Sequence, residues 1–253
     1  MTDERVLSEV QGGVLTCTLN RPEKKNAIDT PMIDGLLAAL DRADLDTQVR
    51  VVALRGAGKD FCAGMDLNEL LASADRSVAD NRTAALHFGE IFLRMRRLPK
   101  PIVALVVGRA LAGGCGLATG CDLVFAAESA QFGYPEVQRG FVPAIVLNML
   151  RRAVGEKIAF DLASTGRLLT AAEAAAVGLI SRVYEDTDFE DQAADALRTL
   201  ASIGPSSLAL TKQQFYQLEG MRFDEGIKLG ADVNAVSRTT PEFRAALSAF
   251  LKK

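Results

Sequence analysis

The sequence predicts an α/β core followed by an all-helical C-terminal extension, on three observations. Strand-period and helix-period segments alternate up to about residue 185, only helical periodicity follows from about 188, and no low-complexity linker lies between. Length agrees, since 253 residues at ~150 per domain make one core with an appendage, expected as 1-195 and 196-253.

Each element has a local reason. Over 14–19, Leu15, Cys17 and Leu19 alternate with Thr16 and Thr18, the period of a half-buried strand. A turn follows at Asn20-Arg21-Pro22. Thr30 before Pro31 reads as an N-cap with proline at the first helical position, and Ile33, Leu36, Leu37 and Leu40 share a helical face. The β-branched run 49–54, ended by Gly56 and Gly58, is the second strand. Asp66 is placed to cap a helix starting near Leu67. A long helix is expected over 77–97, carrying Phe88, Phe92 and Met95 until Pro99 and Pro101 stop it. The apolar run 102–107 has the pattern of a strand buried on both faces. A glycine-rich segment, 112–118, and a short strand over 122–126 come next. Thr170-Ala-Ala-Glu173 is a capping box opening a helix that Gly178 closes, and 180–183 is the last strand.

Composition excludes several classes. With 49% hydrophobic and 24% charged residues the chain is neither disordered nor collagen-like. The 29 Lys+Arg against 32 Asp+Glu leave a net charge of −3, so no global basic field serves nucleic acid. Arg94, Arg96, Arg97 and Lys100 read as a solvated helix end, with an anion contact as the alternative. The opening Met-Thr-Asp-Glu-Arg lacks the basic-then-apolar order of a secretory signal, and no apolar stretch approaches the ~18 residues of a membrane helix. A cytoplasmic protein with no membrane partner is expected. Cys17, Cys62, Cys115 and Cys121 form no C-x-x-C pair and are read as reduced packing residues, with no metal site. His87, the one histidine, lies in a helical pattern and is read as a surface or satisfied core residue, with general-base chemistry as its alternative.

Two glycine loops fail as nucleotide sites on spacing. Around Gly56-Ala-Gly58-Lys59-Asp60, a phosphate loop would need glycine where Ala53 stands and Ser or Thr where Asp60 stands. Around Gly114-Cys-Gly116, the third glycine of a dinucleotide fingerprint is replaced by Thr119. ATP and NAD are therefore not expected. Gly113 and Gly114, opening a helix directly after a buried strand, leave N–H groups unpaired that could hold a developing oxyanion; close helix-on-strand packing is the other reading.

Four segments in order carry a resemblance: Asn20-Arg21-Pro22 with Asn26-Ala27; Phe61-Cys-Ala-Gly-Met-Asp-Leu67; Ala112-Gly-Gly-Cys-Gly-Leu-Ala118 with Cys121-Asp122; and Gln131-Phe-Gly-Tyr-Pro-Glu136. Together with Ser248-Ala249-Phe250 they closely resemble the enoyl-CoA hydratase/isomerase family, the crotonase superfamily, over nearly the whole chain. The resemblance implies a spiral of ββα repeats with C-terminal helices that assemble a homotrimer or a dimer of trimers. It also implies an acyl-CoA thioester substrate, with no cofactor besides the coenzyme A that is part of that substrate. Two backbone N–H groups, those of Met65 and Gly113 by position, would hold the thioester oxygen as it becomes an enolate, and one such donor is worth about 3 kcal/mol. Being main-chain, the first donor tolerates Met65 where many relatives have alanine. The implied CoA contacts are Lys24, Asn26, Ala27, Ala63, Asp66 and Leu67, with Phe250 and Lys253 closing over the coenzyme from the C-terminus. Lys24 is equally a solvated turn lysine, and Phe250 equally a helix-packing residue.

The resemblance is incomplete at one place. Family hydratases use two glutamates; Glu136 matches the second, and Gly116 stands where the first belongs. Moving a double bond from the 3 to the 2 position needs one base that takes a proton from C2 and returns it to C4, so Δ3,Δ2-isomerisation is expected over 2-enoyl-CoA hydration. Losing a general acid–base group costs hydration ~10²- to 10⁴-fold unless Tyr134, Glu69, Glu90 or a water replaces it. Gly116 also reads as widening the pocket for a bulky acyl group, and Glu136 as a capping or paired acid. A decarboxylase, a dehalogenase, a thioester hydrolase and a non-catalytic acyl-CoA binder are the remaining alternatives.

Overall fold

In the computed structural model, which describes residues 4–252, the chain runs β1 (Val6–Gln11), β2 (Val14–Leu19), α1 (Thr30–Leu45), β3 (Val51–Gly56), α2 (Leu67–Ser73) and α3 (Val78–Arg97). It continues through β4 (Ile102–Val106), β5 (Arg109–Leu111), α4 (Gly113–Gly120), β6 (Leu123–Ala127), β7 (Gln131–Gly133), α5 (Leu147–Val154) and α6 (Glu156–Thr165). Then come β8 (Leu168–Thr170), α7 (Ala171–Ala176), β9 (Arg182–Tyr184), α8 (Phe189–Ser202), α9 (Pro205–Gln217), α10 (Phe223–Ser237) and α11 (Pro241–Phe250).

A six-stranded sheet in the order β1-β2-β3-β4-β6-β9 is parallel except for the β1/β2 hairpin, and β5-β7-β8 form a second, smaller sheet. The expected repeat is visible in this alternation. Each of β4 and β6 feeds a short strand of the second sheet, β5 or β7, before the chain turns into helix; a Cys62–Ala110 bridge gives the segment after β3 the same place.

The central strands are buried on both faces because their side chains alternate between two cores. Val52, Leu54, Ile102, Ala104 and Val106 pack with α1, α3 and α4 on one side. Val51, Ala53, Val103 and Leu105 pack on the other side against Phe189, Ala193 and Leu197 of α8. The expected 195/196 border therefore falls inside a helix seated on the sheet. Beyond it burial drops: α9 buries Lys212, and α10 and α11 bury nothing.

Local signals fix several ends. Ser77 caps α3, and the Thr170/Glu173 capping box is formed in both directions. One cap differs: Asp29 rather than Thr30 caps α1, its carboxylate accepting Met32 N–H at 3.0 Å, with Thr30 and Pro31 inside the first turn. All four cysteines are free and buried, and burial pushes the Cys17 and Cys62 thiols up to about 12. Among the described residues no helix is long and apolar enough to cross a membrane.

Candidate active site

Two bridges carry the segment 61–66 across the molecule. Cys62 N–H donates to Arg109 O at 3.0 Å and Leu111 N–H to Cys62 O at 2.9 Å, tying it to β5. Ile28 N–H donates to Gly64 O and Asp66 N–H to Ile28 O, both at 2.8 Å. That second bridge uses the groups on either side of Met65, so Met65 turns its own N–H away from Ile28, as alternate residues of an extended chain do.

The start of α4 lies against this segment. A Cβ on Gly64 would stand 2.8 Å from Ala112 Cβ and 3.4 Å from the Gly113 nitrogen, and Gly64 has φ +97, so glycine is required twice over. A Cβ on Gly113 would touch Met65 Cγ at 3.7 Å, Ile28 Cδ1 at 3.6 Å and Phe88 Cζ at 3.5 Å. The two expected donors thus belong to adjoining backbone within an apolar surround. Gly113 and Gly114, in the first turn, have no carbonyl within α4 to accept their N–H groups, whereas Gly116 N–H already reaches Ala112 O at 2.9 Å. Ala112 enters the helix at φ 51 and ψ −125, a strained conformation for a residue with a side chain.

Glu136 sits in a 3-10 turn, Pro135–Arg139, directly after β7. It is 7% exposed, and its Oε2 is buried with no hydrogen-bond partner among the described residues. Burial raises its pKa above the ordinary carboxyl range, against the opposing pull of its own N–H and of Arg139. Asp29 and Asp66 are also buried, but both are paired with Arg21, whose Nη1 lies 3.2 Å from Asp29 Oδ2 and Nη2 3.0 Å from Asp66 Oδ2. Burial opposes ionisation of Asp66, yet the Asn68 N–H and Arg21 outweigh it and hold that carboxyl below its usual value.

The three groups proposed to replace the missing glutamate are engaged elsewhere. Tyr134 is fully buried, hydrogen-bonded to Thr119 Oγ1 at 2.8 Å, with its phenol pKa well above 10 through burial. Glu69 accepts the Thr30 N–H at 3.1 Å, and Glu90 pairs with Arg94 at 2.9 Å. His87 is on the surface with Nε2 2.8 Å from Asp34. In the basic cluster, Arg94 pairs with Asp41 and Glu90, Arg96 with Glu219, and the Lys100 ammonium rests on the carbonyls of Ala43 and Asp46. Gly116 does not widen a pocket, because Val146 fills the space beside it.

The expected CoA contacts divide. Lys24 ends an exposed 3-10 turn, Ala63 is half-buried, and Leu67 is exposed at the start of α2. Asp66 caps that helix through Asn68 N–H at 2.8 Å. Asn26 is wholly committed inside the protein: Oδ1 accepts Arg21 N–H at 2.9 Å and Nδ2 reaches the carbonyls of Ala57 and Asp60 at 2.9 and 2.8 Å. Ala27 gives its carbonyl to Arg21 Nη1 at 2.7 Å. Phe250 is 75% exposed near the end of α11 and takes no part in the buried cluster. Lys253 lies outside the described residues.

Sequence reasoning missed the role of Arg21. Its guanidinium holds Ala27, Asp29 and Asp66 at once, locking the first loop to the segment that carries Met65. The arginine stands in the Asn20-Arg21-Pro22 segment, but both acids lie apart from it in sequence, so spacing gives no signal.

Comparison with known proteins places this arrangement in context. Residues 9–253 match the family described as Enoyl-CoA hydratase/isomerase. A Thermus thermophilus protein named "Putative enoyl-CoA hydratase" is 42% identical, covering 96% of each chain. The 1,2-epoxyphenylacetyl-CoA isomerase of Escherichia coli is 34% identical over 99% of this chain and 96% of its own. The crystal structure of an enoyl-CoA hydratase from Mycobacterium smegmatis superposes with a TM-score of 0.94 at 30% identity, covering 98% of this chain and 96% of that one.

Proposed function

This chain belongs to the enoyl-CoA hydratase/isomerase family, the crotonase superfamily, and from that premise we propose that it shifts the double bond of a 3-enoyl-CoA to the 2 position. The observation that carries this reading is Glu136, a buried carboxyl with one oxygen unpartnered among the described residues, in a chain whose position 116 holds glycine and no acid.

In the proposed reaction the Glu136 carboxylate takes a proton from C2 of the thioester. The electron pair moves onto the carbonyl oxygen, where the N–H groups of Met65 and Gly113 stabilise the enolate. The pair then returns through the conjugated system, C4 takes the proton back from Glu136, and the double bond rests between C2 and C3. One group both accepts and donates, so no second acid is needed. A pKa raised by burial suits this, because it makes the carboxylate a stronger acceptor for a carbon-bound proton.

The coenzyme would lie along Lys24, Ala27, Ala63, Asp66 and Leu67, with Phe250 and Lys253 contributed by the C-terminal end of the chain. Asn26 enters this reading as a tie between loops rather than as a ligand contact. The apolar residues left exposed on α9 to α11, among them Phe215, Phe223, Ile227 and Leu247, support assembly as a homotrimer or a dimer of trimers.

Hydration of 2-enoyl-CoA is the second reading, favoured by the hydratase names among the relatives. A turnover screen of 2-enoyl-, 3-enoyl-, β-keto- and malonyl-type CoA esters decides between them. Rapid conversion of 3-enoyl-CoA, lost in Glu136→Gln, is expected; rapid hydration of a 2-enoyl-CoA with 3-enoyl-CoA untouched overturns the isomerase reading.

A further inference from the structure

We infer that positions 116 and 146 share one side-chain site, and that Val146, by filling it, is a specificity-determining residue that favours proton shuttling over addition of water. The inference rests on the reading of Glu136 as the proton-transferring base.

The steric conflict is direct. A Cβ built on Gly116 would overlap Val146 Cγ1 and stand 2.6 Å from Val146 Cβ. A rotamer change could move Cγ1, but Cβ is fixed by the backbone, so relief would require the chain itself to shift. That chain is held. The Val146 carbonyl accepts Met149 N–H at 3.1 Å and Leu150 N–H at 3.0 Å as α5 begins, and the residue is 3% exposed. Any side chain at 116 therefore needs a smaller residue at 146, and a valine at 146 needs glycine at 116.

The chemical consequence follows from where this shared site lies. Gly116 is one turn along α4 from Gly113, three residues on and hence on the same face. Ala112 N–H at the start of α4 donates to Gly133 O at 2.8 Å and Thr119 Oγ1 meets Tyr134 Oη at 2.8 Å, so α4 lies along the segment that leads into Glu136. The shared site thus lies on the helix that opens with the enolate-holding donor and is tied to the segment leading into the base. Adding water across a double bond requires an acceptor for the proton that water releases as its oxygen bonds to C3. Val146 offers no lone pair, and with it in place Glu136 is left to return its proton to carbon.

The test is a set of variants read in two ways. In thermal melting, Gly116→Ala and Gly116→Glu should each lower Tm, although replacing glycine by alanine in a helix ordinarily raises stability. Adding Val146→Ala should recover part of the loss, making the pair non-additive. In kinetics, Gly116→Glu alone should hydrate a 2-enoyl-CoA no faster than wild type, and Gly116→Glu with Val146→Ala at least about 10²-fold faster than the single variant. In the double variant the carboxylate introduced at position 116 would take the proton of water as oxygen joins C3, while Glu136 protonates C2. A rise in Tm for Gly116→Ala, or melting changes at 116 and 146 that simply add, overturns the shared site. A folded double variant with no gain overturns the control of reaction. If wild type fails to isomerise 3-enoyl-CoA, the reading of Glu136 fails instead, and the melting comparison still decides the shared site.

Discussion

At the scale of single residues, Glu136, the proposed base, would set function against stability. Its folded pKa is raised, so the folded state holds a proton that the unfolded chain releases at lower pH. Stability then falls as pH rises from the ordinary carboxyl value through the raised one, because above both values the fold carries a buried unpaired charge. Glu136→Gln should lower turnover about 10²- to 10⁴-fold, while raising Tm at neutral pH by an amount that shrinks toward acid. Matched melting curves at several pH values check this. Arg21 presents the opposite balance, since its charge is paired twice and buried. Arg21→Met takes from Asp66 its paired cation and leaves Asp29 with Arg5 alone, and should destabilise by about 3–5 kcal/mol, measurable by denaturant titration. Legibility at this scale depended on chain distance. Met65 and Gly113 each stand in a recognisable turn, and the structure does bring those turns together. Val146 could not be read, because it reaches Gly116 from 30 residues away through packing that no local pattern encodes.

At the scale of elements, those with strong local signals were legible and those made by tertiary pairing were not. The alternation in 14–19, the apolar run after Pro101 and the Thr170/Glu173 box correspond to β2, β4 and the start of α7. The three-residue strands β5, β7 and β8 are too short for a period to show, and β1 takes its place by pairing with β2 along its whole length. Asp29 displaced Thr30 as cap of α1 because its carboxylate also serves Arg5 and Arg21, a long-range gain invisible in a local cap rule. The seating of α9 is likewise a tertiary matter. Lys212 Nζ contacts Asp122 Oδ2 at 2.7 Å and Lys100 O at 2.9 Å, while Tyr216 Oη donates to Asp122 Oδ1 at 2.7 Å. Burial lowers the Lys212 pKa, opposed by Asp122. Removing the ammonium by Lys212→Met should cost about 3–5 kcal/mol and loosen α9 first, read as faster amide exchange along that helix than in α8.

For the whole molecule, the contrast between a sheet buried on both faces and C-terminal helices that bury almost nothing is the dominant feature. Phe223 and Ile227, one turn apart on α10, are 86% and 59% exposed, an arrangement costly to leave in water. Phe223→Asp with Ile227→Asp should convert the proposed trimer or dimer of trimers to smaller species by light scattering, and reduce affinity for acyl-CoA if the C-terminal helices complete its site. The proposed core reaction would still rest on the 61–66 segment and the start of α4 as enolate donors and on Glu136 as base. Exchange of the C2 protons of a bound acyl-CoA with deuterated water, followed by NMR in wild type and Glu136→Gln, tests that site without presuming which product is formed. Exchange in wild type that is abolished in Glu136→Gln is the predicted result; equal exchange in both, or none in wild type with the ligand bound, would contradict the account.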